Sequence, residues 1–135
     1  MISIQRIFAK GAAKAAIGLL DVLEWEYRSQ SLVFDTLRTR IARVVLSKQR
    51  DFEFRIKANK TPLRVAVYNM LCHYATDLLL TGAYHIYRGE LTSLGEDVLY
   101  IFKDLQAKLV KENAITQDIC DSNIKYILKN ISMIG

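Results

Sequence analysis

Hydrophobic positions recur at helical spacing along most of the chain. Apolar residues separated by three and four positions line one face of an amphipathic helix. Five segments show this pattern, and they begin near Gly11 (or already at Ile4), Ser31, Pro62, Ser93 and Thr116. The connections between them are short, which favours antiparallel neighbours. The pattern therefore predicts an all-α fold, with residues 1–135 forming a single-domain bundle of about five helices.

The third predicted helix, residues 62–88, is apolar nearly all round. Thr61 can cap it, and Pro62 occupies the first turn, where a missing N–H is tolerated. Gly89 suits the left-handed residue that commonly ends a helix. A helix that is apolar on every side is touched by neighbours on several sides. We therefore expect this helix to form the centre of the bundle.

The segment 51–57, Asp-Phe-Glu-Phe-Arg-Ile-Lys, is ambiguous. Its alternation of polar and apolar residues, taken alone, predicts a half-buried strand. Phe52 and Ile56 nevertheless continue the apolar stripe of the second predicted helix, and only Phe54 falls outside it. No other segment of the sequence offers a partner strand. We therefore expect a helix here, with a short strand as the alternative.

Composition narrows the class of protein. Of the 135 residues, 51% are hydrophobic and 24% are charged, which is typical of a folded domain and not of a disordered segment. No run reaches the ~18 uninterrupted apolar residues of a membrane span. Cys72 and Cys120 lie inside apolar helical patterns and lack the close spacing of metal ligands. We expect buried free thiols, no metal, no cofactor, and a cytoplasmic location, where thiols stay reduced; in an exported protein the two cysteines could instead pair across helices.

Positive charge is concentrated in one segment of the chain. The formal net charge is +5, but residues 38–64 hold nine basic and two acidic residues, a local net of +7. Such a concentration is typical of a surface that binds a nucleic acid backbone or another polyanion. The candidate binding residues are Arg38, Arg40, Arg43, Arg50, Arg55, Lys57, Lys60 and Arg64.

Other interpretations of this charge remain open. Amphipathic helices commonly carry arginine on their solvated side, and the same surface could pair with an acidic protein partner. The sequence contains no helix-turn-helix, zinc-finger or RNP pattern, so nucleic-acid binding would be of the backbone type and weakly sequence-specific. A base-stacking platform needs aromatic rings among the arginines. Only Phe52 and Phe54 meet that condition in the sequence, and we expect both in the core.

A row of polar residues crosses the third predicted helix. It repeats every four positions, so that it follows one ridge, and comprises Asn69, His73, Asp77, Thr81 and His85. A hydrogen bond from His73 to Asp77 could orient the imidazole, as a general base or proton sensor requires. Our preferred interpretation is that the row is the solvent-exposed side of an otherwise buried helix. A polar network at a homodimer contact and a ligand or catalytic site are the alternatives.

Catalytic sequence motifs do not occur in the chain. It contains no GxSxG, no P-loop and no GxGxxG sequence. We therefore expect a non-enzymatic binding or assembly protein that docks nucleic acid or another polyanion through a basic face. The alternatives are a protein-interaction module, either a homodimer or the partner of an acidic protein, and a small-molecule site on the polar row.

Overall fold

Six α-helices make up most of the chain that the structure describes. The computed structural model describes residues 11–81, 86–87 and 90–132. Its helices are α1 (Gly11–Glu26), α2 (Ser31–Ser47), α3 (Gln49–Ala58), α4 (Leu63–Thr81), α5 (Ser93–Lys111) and α6 (Gln117–Ser132). The all-α fold is thus confirmed, with one helix more than the sequence pattern predicts. Within the described ranges, no helix is both long enough and apolar enough to cross a membrane.

One hydrophobic cluster, drawn from α1, α2, α4, α5 and α6, forms the core. Helix α4 lies at its centre, because it packs against α1, α2, α5 and α6, most extensively against α5. Its buried residues, which include Val67, Leu71 and Leu79, form one broad face of the helix, opposite the exposed Asn69 and His73. Helix α3 is the exception among the six, since it has no fully buried residue and contacts the core through the half-buried Phe52.

The central helix is shorter than the sequence predicts. It ends at Thr81, whereas the apolar pattern predicts helix as far as residue 88. Residues 86–87 instead form strand β1, which pairs antiparallel with strand β2 at residues 90–91. The β-branched and aromatic residues of β1 favour extended backbone.

Residues 51–57 lie within α3, so the alternative of a strand is wrong. The chain bends at Lys48, whose φ of −132° and ψ of 51° are not helical, and α2 and α3 are therefore separate helices. Phe52 and Ile56 are half buried, whereas Phe54 is 70% exposed. The positions spaced by four thus face the protein and the intervening one faces solvent, which is the arrangement of a helix and not of a strand.

Both cysteines are buried free thiols, as predicted. Cys72 of α4 accepts a hydrogen bond from Gln106 Nε2 of α5 at 3.4 Å. Gln106 Oε1 in turn accepts from Asn123 Nδ2 of α6 at 2.9 Å. Burial raises the pKa of the Cys72 thiol to about 11, although the hydrogen bond from Gln106 acts in the opposite direction. This short polar chain joins three helices inside an otherwise apolar core.

Candidate functional site

Four of the eight candidate cations are paired with carboxylates of the protein itself. Arg38 has a side chain that is only 16% exposed, and its guanidinium contacts Asp21 at 2.9 Å and Glu24 at 3.2 Å on α1. The other three pairs are Arg55 with Asp51 at 3.5 Å, Lys57 with Glu53 at 3.6 Å, and Arg64 with Glu112 at 3.1 Å. A cation held in this way presents less net charge to a ligand. The basic cluster is therefore smaller than the count of residues in the sequence indicates.

The other four candidate cations, and Lys48 in addition, form no ion pair with any residue that the structure describes. Arg40 and Arg43 are exposed on α2, Lys48 joins α2 to α3, and Arg50 is the second residue of α3. Lys60 is also exposed and follows α3 with a φ of 50°. Like charges so close together repel one another, and a bound anion relieves that repulsion. We call Arg40, Arg43, Lys48 and Arg50 the basic face.

Two cavities that share one lining residue open beside the basic face. The first cavity has a volume of about 330 Å³, and its lining includes the apolar residues Val44, Phe52, Ile56, Ala66 and Met70. Its polar lining consists of Lys48, Asp51, Arg55, Asn59 and Thr61. The second cavity has a volume of about 350 Å³ and is lined by Arg40, Arg43, Val44, Ser47 and Tyr74. Val44 belongs to both linings, so the two cavities meet at this residue.

A third depression continues this surface across the junction of α2 and α3. It is lined by residues 46–51, which include Ser47, Lys48 and Arg50. Ser47 also lines the second cavity, and Lys48 also lines the first. All four cations of the basic face therefore lie along one continuous surface.

Tyr74 of α4 brings an aromatic ring to the arginines of α2. The guanidinium carbon of Arg40 lies 5.3 Å from the centroid of this ring. A cation–π contact of this kind contributes about 0.5–1 kcal/mol at an exposed site, and it restricts the orientations of the guanidinium. On the same helix, the ring of His73 approaches Tyr74 edge-on at 5.5 Å. The second cavity thus combines an aromatic surface with two arginines.

Sequence reasoning missed three of the residues that form this surface. Val44 belongs to the apolar stripe of α2, which predicts burial, yet it is 42% exposed. No sequence pattern places Tyr74 beside the arginines of α2, and Lys48 is one of the nine basic residues of 38–64 but not one of the eight candidate binding residues. Phe52, expected in the core, packs against it and also lines the first cavity. Phe54 points into solvent and lines neither cavity.

Four residues of the polar row are exposed on α4: Asn69, His73, Asp77 and Thr81. His73 Nε2 lies 3.8 Å from Asp77 Oδ2, which is longer than a hydrogen bond. None of the four lines the cavities described above. His85 and the expected helix stop at Gly89 lie outside the described residues. Elsewhere in the described ranges, no group of three or more His, Cys, Asp or Glu side chains could hold a metal ion.

The chemistry that this surface offers is recognition of an anion next to an apolar group. The guanidinium and ammonium groups can donate hydrogen bonds to anionic oxygen atoms, and the cavity walls can cover an apolar or aromatic group. Comparison of the chain with protein-family models, curated proteins and solved structures found no match.

Proposed function

We propose that this protein is a binding module that docks nucleic acid through its basic face. The observation that carries the proposal is that Arg40, Arg43, Lys48 and Arg50 share one surface and have no acidic partner within the described residues. Clustered cations destabilise a folded protein unless an anion neutralises them. A phosphate backbone supplies a series of such anions, and its counterions are released into solution on binding.

Contacts with phosphate would supply most of the affinity. The two arginines of α2 can each donate two N–H groups to phosphate oxygens, and Lys48 acts as a point charge. Such contacts carry no direct sequence information, so we expect weak sequence preference. Four cations that each neutralise one phosphate predict a slope of about −3 for log K against log salt concentration on a single strand.

The experiment compares two double charge reversals that change the net charge equally. Arg43→Glu with Arg50→Glu removes half of the basic face. Lys103→Glu with Lys125→Glu, the control, alters exposed lysines of α5 and α6. Fluorescence anisotropy with a labelled oligonucleotide at ~50 mM salt should show binding weakened at least about tenfold in the first variant and much less in the control.

Two results would contradict the proposal. One is the absence of oligonucleotide binding by the unaltered protein at low salt. The other is equal weakening by both double variants, which would mean that net charge alone attracts the nucleic acid and that the basic face is not its docking surface. Both variants are checked for native thermal unfolding before binding is compared.

Association with a protein partner is the second candidate function. It is supported by three apolar side chains near the turn between α1 and α2: Val22, Trp25 and Leu32 are 63%, 71% and 75% exposed. Neighbouring exposed apolar side chains can mark a surface that another protein covers. Sedimentation of the protein alone tests whether that partner is a second copy of the chain. A stable dimer, together with no oligonucleotide binding, would favour association over nucleic-acid docking.

A further inference from the structure

We infer that the nucleic acid on the basic face is single-stranded and inserts bases into the two adjoining cavities. This inference rests on the proposed function and adds to it the class of nucleic acid. Its basis is the placement of an aromatic ring and a cation in each cavity: Phe52 with Lys48 in the first, and Tyr74 with Arg43 in the second.

The first cavity has the lining that an unpaired base requires. At about 330 Å³ it falls within the size range of pockets that bind small organic groups. Phe52 and Met70 provide apolar surface against which a base can stack, while Asn59 and Thr61 line the same cavity. An amide and a hydroxyl can each donate and accept hydrogen bonds. They can therefore pair with the donors and acceptors on the edge of an unpaired base.

The second cavity offers a stacking surface of a different kind. The guanidinium of Arg40 lies over the ring of Tyr74, 5.3 Å from its centroid, and a base can stack on the planar guanidinium that this contact orients. Because Arg43 lines this cavity and Lys48 lines the first, each cavity has its own cation for the phosphate of the nucleotide that it holds. The shared residue Val44 places the two positions side by side.

A duplex would leave these features unused. Its bases are stacked on one another and expose only their edges in the grooves, where a protruding helix or strand reads them. The surface described here has depressions and no protruding helix or strand, and Phe52 and Tyr74 line two of these depressions. A single strand can turn its bases outward and place them against aromatic side chains, a mode that tolerates many sequences because every base has a π-face.

The experiment compares three probes at one salt concentration: a single strand of about eight nucleotides, an abasic strand with the same number of phosphates, and a duplex of the same length. We expect the intact strand to bind at least about fivefold more tightly than the abasic strand, because the abasic strand has no bases to enter the cavities and stack on their rings. Equal affinity for the intact and abasic strands, or preference for the duplex, would overturn the inference and leave the proposed function standing. No binding of any probe would overturn both.

Variants that lack one aromatic ring test whether the bases stack in the two cavities. Tyr74→Leu and Phe52→Leu keep an apolar side chain but lose the stacking surface, so each should weaken binding of the intact strand by about fivefold or more and leave the abasic strand unaffected. Tyr126→Leu, at a tyrosine of α6 that is 59% exposed, is the matched control. Because Phe52 also packs against the core, thermal unfolding is measured for each variant, and Tyr74→Leu decides the question if Phe52→Leu does not fold. Unchanged binding of the intact strand by folded Tyr74→Leu would overturn the inference.

Discussion

At the scale of single residues, two arginines of the same helix have different roles. Arg38 is mostly buried and bridges Asp21 and Glu24 of α1, so it joins α1 to α2. Arg43, five residues later on α2, is exposed and lines the second cavity. The sequence assigns both to one basic cluster because residue type and spacing do not reveal which side of α2 rests against α1.

Replacing each arginine with methionine separates these roles. Arg38→Met removes both ion pairs and should lower the free energy of unfolding by about 1 kcal/mol, a modest effect because both carboxylates are partly exposed and solvent-screened. Its nucleic-acid affinity should stay within about twofold of the unaltered protein, since an already paired cation releases few counterions. Chemical denaturation and anisotropy measure the two quantities.

Arg43→Met is the matched control and should behave in the opposite way. Because Arg43 has no ion pair within the described residues, its loss should leave stability nearly unchanged and weaken binding. If Arg38→Met weakened binding as much as Arg43→Met does, the division of the arginines into a structural one and a free one would be wrong.

At the scale of elements, α3 supplies the acidic side chain that the first turn of α1 lacks. Helix α1 has no acidic residue in its first turn, although negative charge near a helix N-terminus is stabilising. Glu53 of α3 fills that position, because its carboxylate lies next to Gly11: a Cβ atom built on Gly11 would stand 2.7 Å from Glu53 Oε1. Helix α3, which has little buried surface of its own, also packs directly against α1.

The two glycines of α1 should respond in opposite directions to the same substitution. Gly11 has a φ of 63°, which L residues adopt at a cost, so Gly11→Ala should lower the free energy of unfolding by about 1 kcal/mol. Gly18 lies inside the helix, and a Cβ atom added to it would have no neighbouring atom within 4 Å. Gly18→Ala should therefore raise stability by up to about 1 kcal/mol through helix propensity. Thermal or urea unfolding measures both, and a stabilising Gly11→Ala would refute the left-handed start of α1.

The elements themselves were largely predictable from short-range signals. Periodic apolar residues located all the long helices, and the spacing of Phe52 and Ile56 correctly outweighed the alternation that suggested a strand at residues 51–57. The end of α4 was not predictable from periodicity, because Ile86 and Tyr87 continue the apolar pattern of that helix. Their pairing with β2 is a contact with the chain beyond them, which a helical pattern does not encode.

At the scale of the whole molecule, the core contains ionisable groups that burial keeps neutral. Tyr27 is 1% exposed, and its hydroxyl donates a hydrogen bond to Asp104 Oδ2 at 2.5 Å. Burial, followed by the hydrogen bond to Asp104, raises the pKa of Tyr27 far above its usual value. Burial likewise raises the pKa of Cys72 from 9.0 to about 11. Both groups bind their protons more tightly in the folded protein than in the unfolded chain.

Stability should therefore fall on the alkaline side. A raised folded-state pKa contributes stability that is fully present below the unfolded pKa and is lost as pH rises through the folded value. For Cys72 this window runs from 9.0 to about 11, and the loss amounts to ~2 kcal/mol by its upper end. Tyr27 adds a further loss at higher pH.

Urea unfolding between pH 7 and pH 11 measures this dependence. The unaltered protein should lose stability above pH 9, and Cys72→Ser, whose hydroxyl does not ionise in this range, should lose about 2 kcal/mol less over the same interval. If both proteins lost the same free energy of unfolding between pH 9 and pH 11, the fold would not be holding the Cys72 thiol neutral.

The sequence by itself determined the all-α class, the approximate positions of the long helices apart from the end of α4, the central place of α4 and the burial of both thiols. These properties follow from hydrophobic periodicity and from glycine and proline signals, which act over a few neighbouring residues. Only the tertiary structure decided which cations are free and which aromatic ring they meet. The pairing of Arg38 with α1 and the approach of Tyr74 to Arg40 depend on how whole helices pack, and no local pattern records that arrangement.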